Sequence, residues 1–389
     1  MIGTLYLVNV WGGGTGDGFQ EDDALATAIS STGEVVGFAA ESATSNRTTG
    51  FRASTSSLTG GEYRATTIRD STLRTVRVFG VNGGGTVVGQ AATNASANNE
   101  YAFKDDPSVP NGSGANQDGP TKQFLAPPSA ALDVNSSGQI VGYDSDGNQH
   151  RAFLYTPGSG STPIVQAPSE ALALNDSGNV VGWREVSGAQ RAFLYDGVVR
   201  DLPSSVTGSS RATAINHGGD IAGAIATPQN NGNGNGNTAN EAFLLKAGAS
   251  THAALGVVQG FDESFANGIN AAAWVVGEAA RNGPNGETAW LWVEGQLFDL
   301  SAQLDRDWAG PEETGWTRLV TATAISDSGL IVGQGKYRIL RGSIWTEESR
   351  AFVLHVIDVP AIPEPGTLLL LFTGLAAIGA VRMRRLGTH

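Results

Sequence analysis

The chain reads as an all-β repeat protein: a seven-bladed β-propeller of four-stranded antiparallel meanders, followed by one C-terminal transmembrane helix. Three observations predict this. A ten-residue phrase returns seven times, an aromatic phrase follows it in most copies, and near the C-terminal end an uncharged run is closed by arginines.

The first phrase has the form A-[IL]-[NS]-x-x-G-x-[VI]-V-G. Its clearest copies are "AISSTGEVVG" from Ala28, "ALNDSGNVVG" from Ala173 and "AISDSGLIVG" from Ala324. Looser copies begin at Gly80, Asp133, Ala214 and Gly268, and the closing glycines are Gly37, Gly89, Gly142, Gly182, Gly223, Gly277 and Gly333. Successive glycines lie 52, 53, 40, 41, 54 and 56 residues apart, so the repeat fills most of the sequence. A period in this range signals stacked supersecondary units.

The second phrase is "RAFLY" at 151 and 191, "YAF" at 101, "EAFLL" at 241, "TAWLW" at 288 and "RAFVL" at 350, with only "GFRAS" at 50 in the first copy. The compact copy from Ala171 shows one unit: ALAL, NVVGW, RAFLY and VVRDL are short and rich in β-branched, aromatic or leucine side chains, so they read as strands. Asn175-Asp176-Ser177-Gly178 makes a turn whose Asn and Asp can bond their own backbone and whose Gly accepts positive φ; Asp196-Gly197 marks a hairpin.

A meander of 40 to 56 residues cannot bury both its faces, so neighbours must stack, and a radial stack that closes leaves only short protected edges. The closing glycine suits a close backbone approach, such as the crowded region near an axis. The competing repeat fold is a parallel β-solenoid, whose coils are shorter and lack internal hairpins. "TLYLVNV" at 4–10 stands alone before the first copy, and "RAFVLHVIDV" at 350–359 ends the last, so pairing the two would fasten the ring.

These phrases resemble the HAF-repeat family of bacterial extracellular proteins over about residues 5 to 358. Where such units carry His before Ala-Phe, this chain has Arg151, Arg191, Arg350, Glu241, Tyr101 or Thr288. The resemblance implies an architecture rather than an activity.

The tail divides into a proline-rich linker at 360–366, a transmembrane helix at 367–385 and a cytoplasmic end at 386–389. Residues 367–381 are uncharged, about 22 Å of helix, and extension to Arg385 gives a span just adequate for the bilayer. Arg382, Arg384 and Arg385 then form a cytoplasmic stop with snorkelling stems, placing residues 1–359 outside. Pro363-Glu364-Pro365 resists joining the helix. This arrangement resembles a PEP-CTERM sorting signal, which implies processing by an exosortase-type enzyme and delivery to the bacterial cell surface or its polysaccharide matrix. "MIGTLYLVNVWGGGTG" lacks the basic and apolar regions of a signal peptide, so the export signal is expected outside this sequence.

A net charge of -13 without a basic stripe argues against nucleic acid as a partner, and the absence of cysteine excludes disulfides and thiolate metal sites. No G-x-S-x-G, H-E-x-x-H or phosphate-loop motif is present, and His150, His217, His252, His355 and His389 lack metal-ligand spacing. Asp144-Ser145-Asp146-Gly147-Asn148 has the alternating oxygens of a calcium loop, but Gln149 and Tyr155 occupy positions where an EF-hand needs Gly and an acid; a hairpin turn fits better. The acidic groups at Glu21-Asp22-Asp23, Asp305 with Asp307, Glu312-Glu313 and Glu347-Glu348 would make a glycosidase couple only if the fold joined them. Trp290 and Trp292 replace strand residues and read as core. Trp308 and Trp316, in the polar stretch "DRDWAGPEETGW", are the candidate ligand contacts. The expectation is a non-enzymatic surface or matrix protein without cofactors; the rivals are a lectin-like binder of surface polysaccharide and a carbohydrate-active enzyme.

Overall fold

The computed structural model describes residues 3–9, 23–40, 47–59, 62–68, 73–93, 99–105, 122–123, 125–203, 208–228, 238–281, 286–303 and 313–356. Strand β1 (Gly3–Asn9) precedes the repeats. Unit 1 holds β2 (Ala24–Ile29), β3 (Glu34–Ala40), β4 (Thr48–Thr59) and β5 (Glu62–Ile68). Unit 2 holds β6 (Thr75–Val81), β7 (Val87–Ala92), β8 (Tyr101–Asp105) and β9 (Lys122–Gln123). Unit 3 holds β10 (Ala130–Val134), β11 (Ile140–Asp146), β12 (Gln149–Thr156) and β13 (Gly160–Pro163). Unit 4 holds β14 (Ser169–Leu174), β15 (Val180–Val186), β16 (Ala189–Tyr195) and β17 (Val199–Asp201). Unit 5 holds β18 (Ser210–Ile215), β19 (Ile221–Pro228), β20 (Thr238–Leu245) and β21 (Ala253–Gly256). Unit 6 holds β22 (Glu263–Ile269), β23 (Val275–Ala280), β24 (Glu287–Val293) and β25 (Gln296–Asp299), then a single turn α1 (Leu300–Gln303). Unit 7 holds β26 (Gly315–Ile325), β27 (Leu330–Arg341) and β28 (Ile344–Val356).

Units 3 to 6 are separate four-stranded antiparallel sheets in chain order, the arrangement expected from the sequence and compatible with a β-propeller. Units 7, 1 and 2 instead join into one twelve-stranded sheet. β1 pairs antiparallel with β28 (Gly3↔Val356 to Leu7↔Phe352) and parallel with β5, while Thr48 bridges Thr75. The first strand thus completes the last unit, and its outer edge, which would otherwise be open, is used by unit 1. No single sheet among the described residues closes on itself.

Each closing glycine has a local cause. All seven first strands carry a β-bulge, as between Ala171 and Ala173 in unit 4. The bulge throws the carbonyl just before it across the second strand, so a Cβ on the closing glycine would sit 1.9–2.0 Å from that oxygen in every unit. The third-strand aromatic (Phe51, Phe103, Phe153, Phe193, Phe243, Trp290 or Phe352) pairs with the same glycine. In units 1, 2, 5, 6 and 7 the ring lies 2.6–3.0 Å from the missing Cβ. The glycine and the aromatic phrase are therefore two halves of one contact. The close approach expected from the sequence is real, but it lies within each unit rather than at an axis.

Neighbouring units are latched at three levels. At the turn after each first strand, asparagine side chains donate onward: Asn82 to Asn135 O (2.9 Å), Asn135 to Asn175 O (3.1 Å), Asn175 to Asn216 O (3.2 Å), Asn216 to Asn270 O (3.0 Å) and Asn270 to Ser326 O (3.3 Å). At the bulge, Thr27 donates to Val78 O, Thr213 to Ala266 O, Asn267 to Ala322 O and Thr323 to Ala26 O. At the start of the first strand, Ser129, Ser169, Ser210 and Ser264 accept from the buried N–H of Ala102, Ala152, Ala192 and Ala242 in the preceding unit. A buried N–H without such a partner would cost about 1–3 kcal/mol. The Thr323 bond joins unit 7 to unit 1, so the packing order returns to its beginning.

The two ends of the units differ. One end, the turn face, carries the asparagine turns; the other, the hairpin face, carries the links between second and third strands. Val356 pairs with Gly3 and donates its N–H to Gly329 O, so the chain leaves the described residues at the turn face. Among the described residues no helix is long and apolar enough to cross a membrane; the expected span at 367–385 lies outside them.

Candidate functional site

Two positions per unit lie on the hairpin-face side of the bulge: the first-strand residue before the bulge and the second-strand residue after the closing glycine. They are Cα partners in every unit: Leu25↔Phe38, Arg77↔Gln90, Ala130↔Tyr143, Glu170↔Trp183, Arg211↔Ala224, Phe265↔Glu278 and Thr321↔Gln334. The glycine beside them never changes and its aromatic partner changes once, whereas no pair occurs twice. An invariant scaffold with a varied rim is what a recognition surface requires.

The rim is knitted across units. Gln90 donates to the Tyr143 hydroxyl (3.2 Å), and Tyr143 stacks on His150 with ring centroids 3.7 Å apart. His150 Nδ1 meets Glu170 Oε1 at 2.7 Å, Trp183 Nε1 donates to Glu170 Oε2 at 2.9 Å, and Arg211 approaches that carboxylate at 3.7 Å. Glu278 bonds Thr321, and burial raises its pKa above the ordinary carboxylate range. Gln334 donates to Ala24 O of unit 1 at 3.0 Å. The His150 side chain is 43% exposed and forms part of this network.

Between units 5 and 6 the rim opens into a cleft of about 300 Å³ lined by Gln190, Arg211, Ala224, Asn240, Phe265 and Glu278 among others. A second cavity of about 250 Å³ lies at the turn face, where the turns of all seven units converge with Asp176, His217 and Asp327 in its wall. Asp176 accepts from Ser136 N (2.9 Å), and its bonds to Ser136 hold its pKa below the usual range. Behind it, Asp133 accepts from Leu174 N and Val134 N, yet burial, aided by the Asp176 charge, pushes its pKa up to about 6. No group of three or more acidic or histidine side chains among the described residues is placed to hold a metal ion.

The sequence candidates fall as follows. Pro363, Glu364, Pro365, Arg382, Arg384, Arg385 and Trp308 lie outside the described residues. Trp316 is half-buried, edge-on to Tyr337 (5.2 Å) and Phe352 (6.2 Å). Trp290 is fully buried and Trp292 packs against the same core. Asp144 and Asp146 flank a hairpin turn; both Asp144 oxygens are taken by Arg151 (3.0 and 2.9 Å). Glu348 is held by Arg341 and Arg350, and Glu347 by the Thr317 hydroxyl. The Ser latch and the paired rim positions were not recognised in the sequence. Their signal was present: Ser-x-Ala precedes the bulge in units 3 to 6, and the variable residue follows Val-Gly or Ala-Gly.

Residues 361–385 match the PEP-CTERM protein-sorting motif. The likeness of the repeats to HAF units rests on the quoted phrases alone. No curated protein matches the chain. Among solved structures, the acylaminoacyl peptidase of Pyrococcus horikoshii is similar at TM-score 0.47 and 12% identity, covering 81% of this chain and 50% of that one. A puromycin-hydrolyzing peptidase of Mycobacterium tuberculosis follows at 0.44 and 10%, covering 92% and 58%. Trypanosoma rangeli sialidase is similar at 0.36 and 9%, covering 96% and 59%. The chain thus spans 50–59% of the length of these structures, and at such TM-scores they assign it no activity.

Proposed function

We propose that this is an exported surface protein, sorted through its C-terminal signal, whose seven units are the blades of one closed β-propeller serving as a non-enzymatic scaffold for binding or structure. The sorting motif at 361–385 is the observation that carries the reading. Its Pro363-Glu364-Pro365 is the recognition element for an exosortase-type enzyme, the apolar run crosses the membrane, and Arg382, Arg384 and Arg385 stay on the cytoplasmic side.

The exit of the chain at the turn face supports an orientation. The tether leaves from the asparagine turns, so the varied rim on the hairpin face is presented away from the membrane. Replacing Pro363-Glu364-Pro365 with alanines in a host that has an exosortase should leave an uncleaved membrane-bound form on an immunoblot of fractionated cells. Unchanged processing would remove the basis for the sorting role.

A further inference from the structure

The cleft between units 5 and 6 has a specific origin. Units 3 and 4 carry Tyr143 and Trp183 after the closing glycine, and unit 5 carries Ala224 at the same register position. The missing ring leaves about 300 Å³ open beside Arg211, the size at which small-ligand pockets begin. Ala224 is thus the one small residue at a position that Phe38, Gln90, Tyr143, Trp183, Glu278 and Gln334 fill in the other units, and the gap it leaves is bordered by polar side chains.

We propose that this cleft binds a neutral saccharide, with Phe265 and Ala224 against the C–H face of a sugar ring and Arg211, Gln190, Asn240 and Glu278 around its hydroxyls. The inference rests on the reading of the ring as a binding scaffold and names its ligand class. A pyranose presents an apolar face and an edge of hydroxyls that both donate and accept, so it needs an apolar wall with donors and acceptors together. The cleft offers that combination: half-buried Phe265 on one side, guanidinium and amide donors, and a carboxyl acceptor. Its charge argues for neutrality. The one arginine already faces Glu170 at 3.7 Å, Glu278 lines the wall, and Glu263 holds Asn240 at 2.9 Å, so an added carboxylate would meet like charge.

The test is calorimetric titration of the purified full chain with galactose, maltose, N,N′-diacetylchitobiose and galacturonic acid. Saturable binding of at least one neutral sugar is expected, weakened ~10-fold or more by Arg211→Ala and by Glu278→Gln, the loss of a charge-assisted hydrogen bond. Ala224→Tyr should abolish binding while keeping the melting temperature, because neighbouring units fold with Tyr143 and Trp183 at that position. His217→Ala, in the opposite cavity, should leave binding unchanged. Silence with all three neutral sugars, binding that survives both Ala224→Tyr and Arg211→Ala, or tighter binding of galacturonic acid than of galactose would overturn the proposal. None of these outcomes alters processing at Pro363-Glu364-Pro365, so failure of the ligand assignment and failure of the sorting reading are read separately.

Discussion

The contact between each closing glycine and the bulged first strand can be tested in unit 4 by Gly182→Ala. The new Cβ would lie 2.0 Å from Glu170 O and 3.0 Å from Ala171 Cα, whereas ordinary contact begins near 3.4 Å. Because Gly182 does not have a positive φ, any cost comes from crowding. Relief requires the strand carbonyl to move by about 1.4 Å, and overpacking of this kind costs about 3 kcal/mol, the upper end of its usual range. For the roughly 280 described residues at about 2.1 cal/mol/K each, that lowers the melting temperature by about 5 °C. Gly188→Ala is the control: its φ is +80° and nothing lies within 4 Å of the added Cβ. Its conformational cost of about 1–2 kcal/mol lowers the melt by only about 2–3 °C. Calorimetric melts of both variants decide the matter. A Gly182→Ala melt no lower than that of Gly188→Ala would refute the account of why the repeat ends in glycine.

Asn175→Ser should cost about 1 kcal/mol, since it loses the donor to Asn216 O while serine still accepts at the turn as Ser30 and Ser326 do from Glu34 N and Leu330 N. Asn175→Ala should cost about twice that by also releasing Ser177 N and Asn179 N, and equal chemical-denaturation midpoints for the two would contradict the latch. Burial pushes the folded Asp133 carboxyl up to about 6 from its ordinary 3.8, so the folded state holds the extra proton between those values and stability falls as pH rises through them. Asp133→Ala, which restores the alanine of most other units, should therefore gain stability over the parent as pH is raised from 4 to 6 and level off above; a difference independent of pH would exclude the buried carboxyl.

Much of the architecture was legible because its determinants are local. The Asn-to-Gly turn reappears as Asn175 accepting from Ser177 N and Asn179 N, with Gly178 at φ +79°. Unit 1, a weak match in its second phrase, still supplies Phe51 against Gly37. The three latches were not legible as such, because a side chain that bonds the next unit leaves no periodic mark in its own. Asn175 reads as a turn residue whether or not its amide reaches Asn216 O. Trp316 was singled out for its polar neighbours in sequence, yet tertiary contacts with Tyr337 and Phe352 determine where it packs. The rim escaped notice for the opposite reason: its residues are the ones a repeat alignment discards as variable.

Closure of the ring through the first strand is the claim on which the rest depends, and the absence of native cysteine allows a clean measurement. Thr4 and His355 are Cα partners in the β1–β28 pair, both are exposed, and antiparallel partners lie about 4.5–5.5 Å apart, within disulfide range. The double variant Thr4→Cys/His355→Cys should form an intramolecular disulfide under air oxidation, seen as a faster-migrating monomer on non-reducing electrophoresis and as a linked peptide by mass spectrometry. Free thiols or only intermolecular dimers would contradict a ring fastened by its two ends.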